Sequence, residues 1–271
     1  MNAVLRPAPL PDVQSRPDTR NLPIEAAGIQ GLRSHATVLV HGRPVPTLAT
    51  WSLSVAVPAA ARGTHMSRFV ALVEAERAPI TPASLRAMLA RMLERLAATS
   101  GVLEVAYPLL LPKRAPVSGA LSHVDYGVRW RLAVTAEGVR PLRLTVTVPV
   151  TTLCPCSKEI SDYGAHNQRS LVTVTAELAA DLEPEALIAA AERSASCELY
   201  GLLKREDEKA VTERAYENPK FAEDLVRDVA LELARDPRVA GYEVLAENLE
   251  SIHNHSAFAR LRGGDPLHAG T

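Results

Sequence analysis

Two segments of this chain, Leu142-Arg143-Leu144-Thr145-Val146-Thr147-Val148 and Leu171-Val172-Thr173-Val174-Thr175-Ala176, alternate apolar side chains with polar or hydroxyl-bearing ones. A period of two belongs to extended backbone, whose successive side chains point to opposite faces, so each segment predicts a strand with one buried face. Ala49-Thr50-Trp51-Ser52-Leu53-Ser54-Val55-Ala56-Val57 repeats the pattern, with Val38 to Val40 as its hairpin partner. Further strands are expected over 103–110, 126–135, 242–247 and 257–262.

Helical periodicity fills the gaps. Thr81 and Pro82 offer an N-cap and a first-turn proline. Leu85, Met88, Leu89, Met92, Leu93 and Leu96 follow at three- and four-residue spacing as one apolar stripe, and Gly101 is expected to end that helix. Two more helices are expected over 183–203 and 219–235. The second half then reads strand, strand, helix, helix, strand, strand. The first half has the same order with one helix, as a diverged duplication would leave it. Consecutive antiparallel strands with helices between them predict an α+β class, helices covering one face of the sheet. Open sheet edges invite pairing between subunits, so an oligomer with shared sites is expected. The modules should run over 23–138 and 139–262, after a disordered leader (1–22) and before a flexible tail (263–271).

The 271 residues are 47% hydrophobic and 23% charged, enough for a sizeable core. A net charge of −1 supplies no global field for nucleic acid or an anionic membrane. An anionic ligand must therefore be held by a local basic cluster. Three cysteines, odd and sparse, argue against a disulfide framework and for a reducing compartment. The proline-rich N-terminus lacks the apolar core of a signal peptide, and no run reaches the roughly 18 apolar residues of a membrane helix. A cytoplasmic enzyme is the expectation.

The chemistry concentrates in Thr152-Leu153-Cys154-Pro155-Cys156-Ser157-Lys158 and Gly164-Ala165-His166-Asn167-Gln168-Arg169-Ser170. Thiolate, imidazole and cationic side chains together suit a metal-activated water acting on an anionic substrate. Pro155 stiffens the step between the two thiols and favours one as ligand and the other as catalytic group; the bland reading is two small buried hydrophobes. Cys197, among Leu187, Ile188, Leu199 and Leu202, reads as core inside a helix. His166 sits in a polar stretch and reads as a ligand, with Gln168 and Arg169 as donors to a polar anion. The run Lys204-Arg205-Glu206-Asp207-Glu208-Lys209 is either a solvated charge run or a junction between helices that aims Glu208 inward. Glu223 is either an exposed helix residue or a carboxylate placed to accept two parallel hydrogen bonds from a guanine edge. His253 and His255, if extended, share one side and can bind metal or pass protons; otherwise they form a polar turn. His65-Met66-Ser67-Arg68 mixes groups able to cradle phosphate.

Taken together, Gly63-Thr64-His65-Met66-Ser67-Arg68-Phe69, the Cys154 and His166 segments, Ser196-Cys197-Glu198-Leu199-Tyr200-Gly201-Leu202-Leu203-Lys204-Arg205, Asp207-Glu208-Lys209, Asn218-Pro219-Lys220-Phe221 and His253-Asn254-His255-Ser256-Ala257 resemble the prokaryotic type IB GTP cyclohydrolases. The resemblance runs from about Ile24 to Arg262. It implies a tunnelling fold, with strand-strand-helix-helix-strand-strand modules assembling into barrels across subunits, and a homotetramer with active sites at subunit interfaces. It also implies conversion of GTP to 7,8-dihydroneopterin triphosphate and formate with one divalent metal (zinc, manganese or iron(II)) per site. By the family pattern Cys154, His166 and Glu208 are the metal ligands. Cys154, Cys156, His253 and His255 form the catalytic set, and Glu223 is the guanine anchor. His65, Ser67, Arg68, Asn167, Gln168, Arg169, Lys204, Arg205 and Lys209 form the pool of further substrate contacts. A rival reading keeps the fold with a nucleophilic cysteine and NADPH, as in nitrile reductases.

Overall fold

The computed structural model describes residues 12–14 and 16–264; residues 1–11 of the expected leader and 265–271 of the expected tail lie outside it. Among the described residues the chain forms one antiparallel sheet. β1 (Ile24–Val40), β2 (Arg43–Val57), β3 (Gly101–Arg114) and β4 (Leu121–Thr135) come from the first half. β6 (Leu142–Leu153), β7 (Asn167–Leu178), β9 (Val239–Leu249) and β10 (Ala257–Gly264) come from the second, and two short pieces, β5 (Gly138–Val139) and β8 (Cys197–Glu198), pair with β4 and β6. The long strands lie in the order β1-β2-β3-β4-β6-β7-β9-β10, so chain order is spatial order and β1 and β10 are the edges. Within the halves the pairing is long; between them the long strands pair over a short stretch, where Gly127–Arg131 faces Arg143–Thr147.

Register explains the two faces. Trp51, Val105, Trp130, Leu144 and Ala176 are cross-strand partners and all are buried. One residue along, Ser52, Glu104, Arg131, Arg143 and Glu177 form the opposite row, in which Arg143 Nε donates to Glu177 at 2.7 Å. The apolar face is covered by α1 (Met66–Glu74) and α2 (Pro82–Leu96) in the first half, and by α4 (Pro184–Ser194) and α6 (Ala222–Leu233) in the second. Phe69, Leu85, Met88 and Met92 meet Trp51 and Leu103 in the same continuous core that joins Leu187, Leu225 and Val229 to Val146 and Val174. The class is α+β with helices on one sheet face, as the alternation predicts.

Several boundaries differ from expectation, each for a local reason. The first half carries two helices, because 66–74 is helical, and so reads strand, strand, helix, helix, strand, strand; the second half adds to that order a short helix over Pro155–Ile160, the short strand β8 and a helix over Arg205–Glu217. Helix α2 ends at Ala97 in the left-handed region (φ 50°), not at Gly101. Gly101 instead opens β3, where a Cβ would lie 2.7 Å from the Ser54 carbonyl oxygen. The helix expected over 183–203 stops at Ser194, whose hydroxyl donates to the Ala190 carbonyl (2.9 Å). Cys197 lies beyond it, paired to Thr151 of β6. The charge run is not a junction: Arg205–Glu217 is a further helix, α5, with only Asp207 and Ala215 buried and hence no apolar stripe to read. Before β1, Pro17 bridges Ala61 and the Asp18 N–H donates to the Ala60 carbonyl (3.0 Å).

Candidate active site

Strand β6 ends at Leu153, and Pro155 at the first helical position starts the short helix α3 (Pro155–Ile160). Cys154 is its N-cap: the backbone is extended and the thiol sulfur accepts the Ser157 N–H at 3.4 Å, the place a serine or aspartate oxygen usually takes. The loop returns through Gly164, whose φ of 125° suits glycine, and closes on itself. Cys154 N–H donates to the His166 carbonyl (3.1 Å), and His166 N–H donates to the Ser157 hydroxyl (3.2 Å). Two residues twelve apart in sequence are thus locked backbone to backbone at the end of a rigid strand pair. Cys154 is half-buried and Cys156 exposed, so the two thiols occupy different environments. Cys197 is buried, and burial pushes its thiol up to about 11, which suits a structural role.

The His166 ring is half-buried. Its Nδ1 lies 3.0 Å from Gln168 Oε1 and 3.9 Å from Glu250 Oε2. The same Glu250 oxygen is 3.7 Å from His253 Nδ1, and the His253 and His255 rings stack with centroids 5.1 Å apart. The two histidines lie in the loop between β9 and β10 rather than within the strand, and stacking, not strand alternation, brings their rings together. Glu250 was not among the sequence candidates. No motif marks it; only the sheet, by placing β9 beside β7, shows that it stands between His166 and His253.

The remaining candidates are spread over both halves. Lys220 N–H donates to the Leu153 carbonyl (3.0 Å), which holds the start of α6, and with it the exposed Glu223 of its first turn, beside the Cys154 loop. Asn167 and Arg169 are exposed on β7, but Gln168 is buried with both ends of its carboxamide engaged, which removes it from the substrate-contacting pool. On α5, Lys204 is the N-cap, Arg205 and Glu208 are exposed, and Lys209 pairs with Glu213 at 3.1 Å. The His65–Arg68 stretch is the start of α1 rather than an open cradle. His65 Nε2 meets Asp12 at 3.0 Å and Arg68 donates to the Arg95 carbonyl at 3.0 Å, while Ser67 is exposed. Among the described residues no three histidine, cysteine, aspartate or glutamate side chains already converge as a metal cage. Cys154 and His166 nevertheless fit a divalent ion. The sulfur is a hydrogen-bond acceptor from backbone, and the imidazole is held through Nδ1, the partner arrangement typical of a ligating histidine.

A neighbouring cluster fixes the frame of α5. Arg214 donates to both Glu198 oxygens (3.0 and 2.9 Å), and the Tyr200 hydroxyl donates to the same carboxylate. Burial pushes the Tyr200 hydroxyl up; in Glu198, burial is outweighed by these donors and the carboxyl titrates below its usual range.

The family model described as "Type I GTP cyclohydrolase folE2" matches residues 10–259. The chain belongs to this family. Among its relatives, the "GTP cyclohydrolase FolE2" of Paraburkholderia xenovorans (strain LB400) is 59% identical over 251 residues, covering 92% of this chain and 93% of that protein. The protein of the same name from Burkholderia multivorans (strain ATCC 17616 / 249) is 58% identical over 261 residues, covering 96% of each. Among solved structures, uricase from Arthrobacter globiformis aligns with a TM-score of 0.53 over 91% of this chain and 96% of its own, at 9% identity, a likeness of fold alone. The cyclohydrolase family match spans the Cys154 loop, α5, α6 and the His253–His255 loop together.

Proposed function

We infer that this chain is a GTP cyclohydrolase, converting GTP and water to 7,8-dihydroneopterin 3'-triphosphate and formate. That reaction is the first step toward tetrahydrofolate and a source for 7-deazaguanine tRNA nucleosides. Family membership carries the reaction. At the site, the supporting observation is the closed loop that binds Cys154 to His166 while Nδ1 of that histidine is held from behind.

Cys154 and His166, with Glu208 of α5 as third donor, would hold a divalent ion (zinc, manganese or iron(II)), which when bound would supply a Lewis acid able to lower the pKa of a water toward neutrality. Glu223 accepts hydrogen bonds from N1–H and the amino group of guanine, a pattern that adenine reverses. The stacked His253 and His255, partly exposed beside Glu250, are suited to moving protons at the ring nitrogens and the ribose oxygen while C8 is hydrated, the imidazole opens and formate leaves. Cys156, exposed one step from Cys154, is placed to assist at C8. Arg169, Asn167, Lys204, Arg205, Lys209, His65, Ser67 and Arg68 are the pool from which triphosphate contacts come.

The two open edges, β1 and β10, support assembly into a homotetramer whose sheets close into barrels across subunits, with sites at the interfaces. Three unpaired cysteines support a reducing, cytoplasmic setting; no helix among the described residues is long and apolar enough to cross a membrane.

Incubation with GTP and a metal, followed by pterin fluorescence after oxidation, tests the reaction. Cys154→Ala should lose metal and activity together, whereas Glu223→Ala should keep metal and lose GTP binding. Absence of product across zinc, manganese and iron(II) would overturn the assignment.

A further inference from the structure

Along the buried face of β6, β7 and β9, the side chains change character toward the site. Val148, Val172 and Ala246 form an apolar row; in the next row Ser170 and Asn248 stand beside Val150, and Thr152 and Gln168 follow one row further out, none of the four polar residues being more than 6% exposed. Polar groups at such depth are costly unless bonded to one another, and these are. Gln168 Nε2 donates to Thr152 Oγ1 (2.8 Å), Thr152 Oγ1 and Ser170 Oγ lie 2.7 Å apart, and Ser170 Oγ donates to Asn248 Oδ1 (2.7 Å). Each hydroxyl has one proton to give, so with Ser170 donating to Asn248, Thr152 gives its own to Ser170 and accepts from Gln168. The carboxamide oxygen of Gln168 is then left facing His166 Nδ1 at 3.0 Å. Glu250, whose carboxylate can only accept, stands 3.9 Å from the same nitrogen. Both neighbours favour a proton on Nδ1, which leaves the lone pair on Nε2.

We propose that Gln168 is a positioning residue which, anchored through Thr152, Ser170 and Asn248, fixes His166 as the Nδ1–H tautomer and aims its Nε2 lone pair into the site shared with Cys154. The proposal deepens the metal reading above and rests on it for its consequence, but the tautomer itself needs no metal. A substrate contact would leave Gln168 one end free; here both ends are committed to the interior.

Two measurements on the full chain test this. Long-range nitrogen–proton NMR of the metal-free protein, with His166 assigned by comparison with His166→Gln, reads the tautomer. Titration with cobalt(II), followed by thiolate charge-transfer absorbance, reads the site. Wild type should show Nδ1–H. Gln168→Leu should show a mixed or Nε2–H ring and bind cobalt about 10–100-fold more weakly, the usual cost of losing the partner of a ligating histidine. Gln168→Glu, which keeps an acceptor against Nδ1, should retain the tautomer. Thr152→Val cuts the chain one link further in and should loosen the tautomer even if Gln168→Leu fails to fold. An Nε2–H ring in wild type, or a tautomer and cobalt affinity indifferent to both substitutions, overturns the proposal. Wild-type protein that takes up no cobalt while its ring still follows residue 168 sinks the metal reading and leaves the positioning role standing.

Discussion

Removing one oxygen atom, by Tyr126→Phe, should measure how firmly the two halves are joined. Tyr126 lies on β4 with 1% exposure, and its hydroxyl donates to Glu192 Oε1 at 2.6 Å. The other oxygen of Glu192, a residue of α4 in the second half, accepts from Lys113 Nζ of β3 at 2.7 Å. One carboxylate therefore receives two donors from the first half. A hydrogen bond to a charged group contributes about 1.5–3 kcal/mol. In a domain this size each kcal/mol moves the melting temperature by about 2–4 °C, so the variant should melt about 3–12 °C lower at neutral pH. The pH dependence is a second, independent check. Burial, with the Glu192 carboxylate beside it, pushes the Tyr126 hydroxyl well above its ordinary value. A raised pKa means that the contribution is fully present below the unfolded value, near 10, and is lost as pH rises toward the folded one. The wild-type advantage should therefore be flat from about pH 6 to 9 and shrink in more alkaline buffer. Urea denaturation at fixed protein concentration reads both quantities. A loss below about 0.5 kcal/mol, the size of an ordinary surface change, or a gap that does not narrow in alkali, refutes the joint as described.

Two further outcomes concern the site. Glu250→Gln keeps the shape but not the charge between His166 and His253; it should lower kcat by about 10–100-fold, the scale of a disturbed orienting partner, with KM little changed in a steady-state assay. Asp207→Asn should lower the melting temperature at neutral pH. Burial raises the Asp207 pKa, but the Ser118 hydroxyl and the Ser118, Lys204 and Val117 amides outweigh it and hold the carboxyl well below its usual range. A depressed pKa contributes above the unfolded value near 4, so thermal scans should show the gap to wild type closing as pH falls below it.

The strands were readable because burial on one face imposes alternation that no other element satisfies; β2, β6 and β7 begin or end within a few residues of where pattern places them, and extend further through stretches such as 43–48, 149–153 and 167–170, in which prolines and polar residues dilute the apolar pattern. Helices were readable when they bury a stripe, as α2 does. Helix α5 has no legible stripe because Asp207, its deepest contact near the start, is charged, and α1 is short, with only Phe69, Leu72 and Val73 on its buried side beyond the polar start at His65, Ser67 and Arg68. The overlong helix at 183–203 shows the reverse: Cys197 and Leu199 continue an apolar rhythm, but pairing of Cys197 and Glu198 with β6 sets the backbone there, and a partner strand is invisible to local periodicity. At the site, Cys154 and His166 could be paired on residue type. That Gln168 faces inward and that Glu250 stands between two histidines follow only from strand register.

Asp207 also bears on inheritance. Its carboxylate is read by Val117 and Ser118, in the turn between β3 and β4, at 2.8 Å or less, and the next residue on α5 is Glu208. A lone copy of the second module would have no such turn to seat this helix. Any duplication that produced the two halves therefore preceded the present placement of α5, and substitutions at 117–118 should covary through evolution with those at 207, though about ninety positions separate them in the gene's reading.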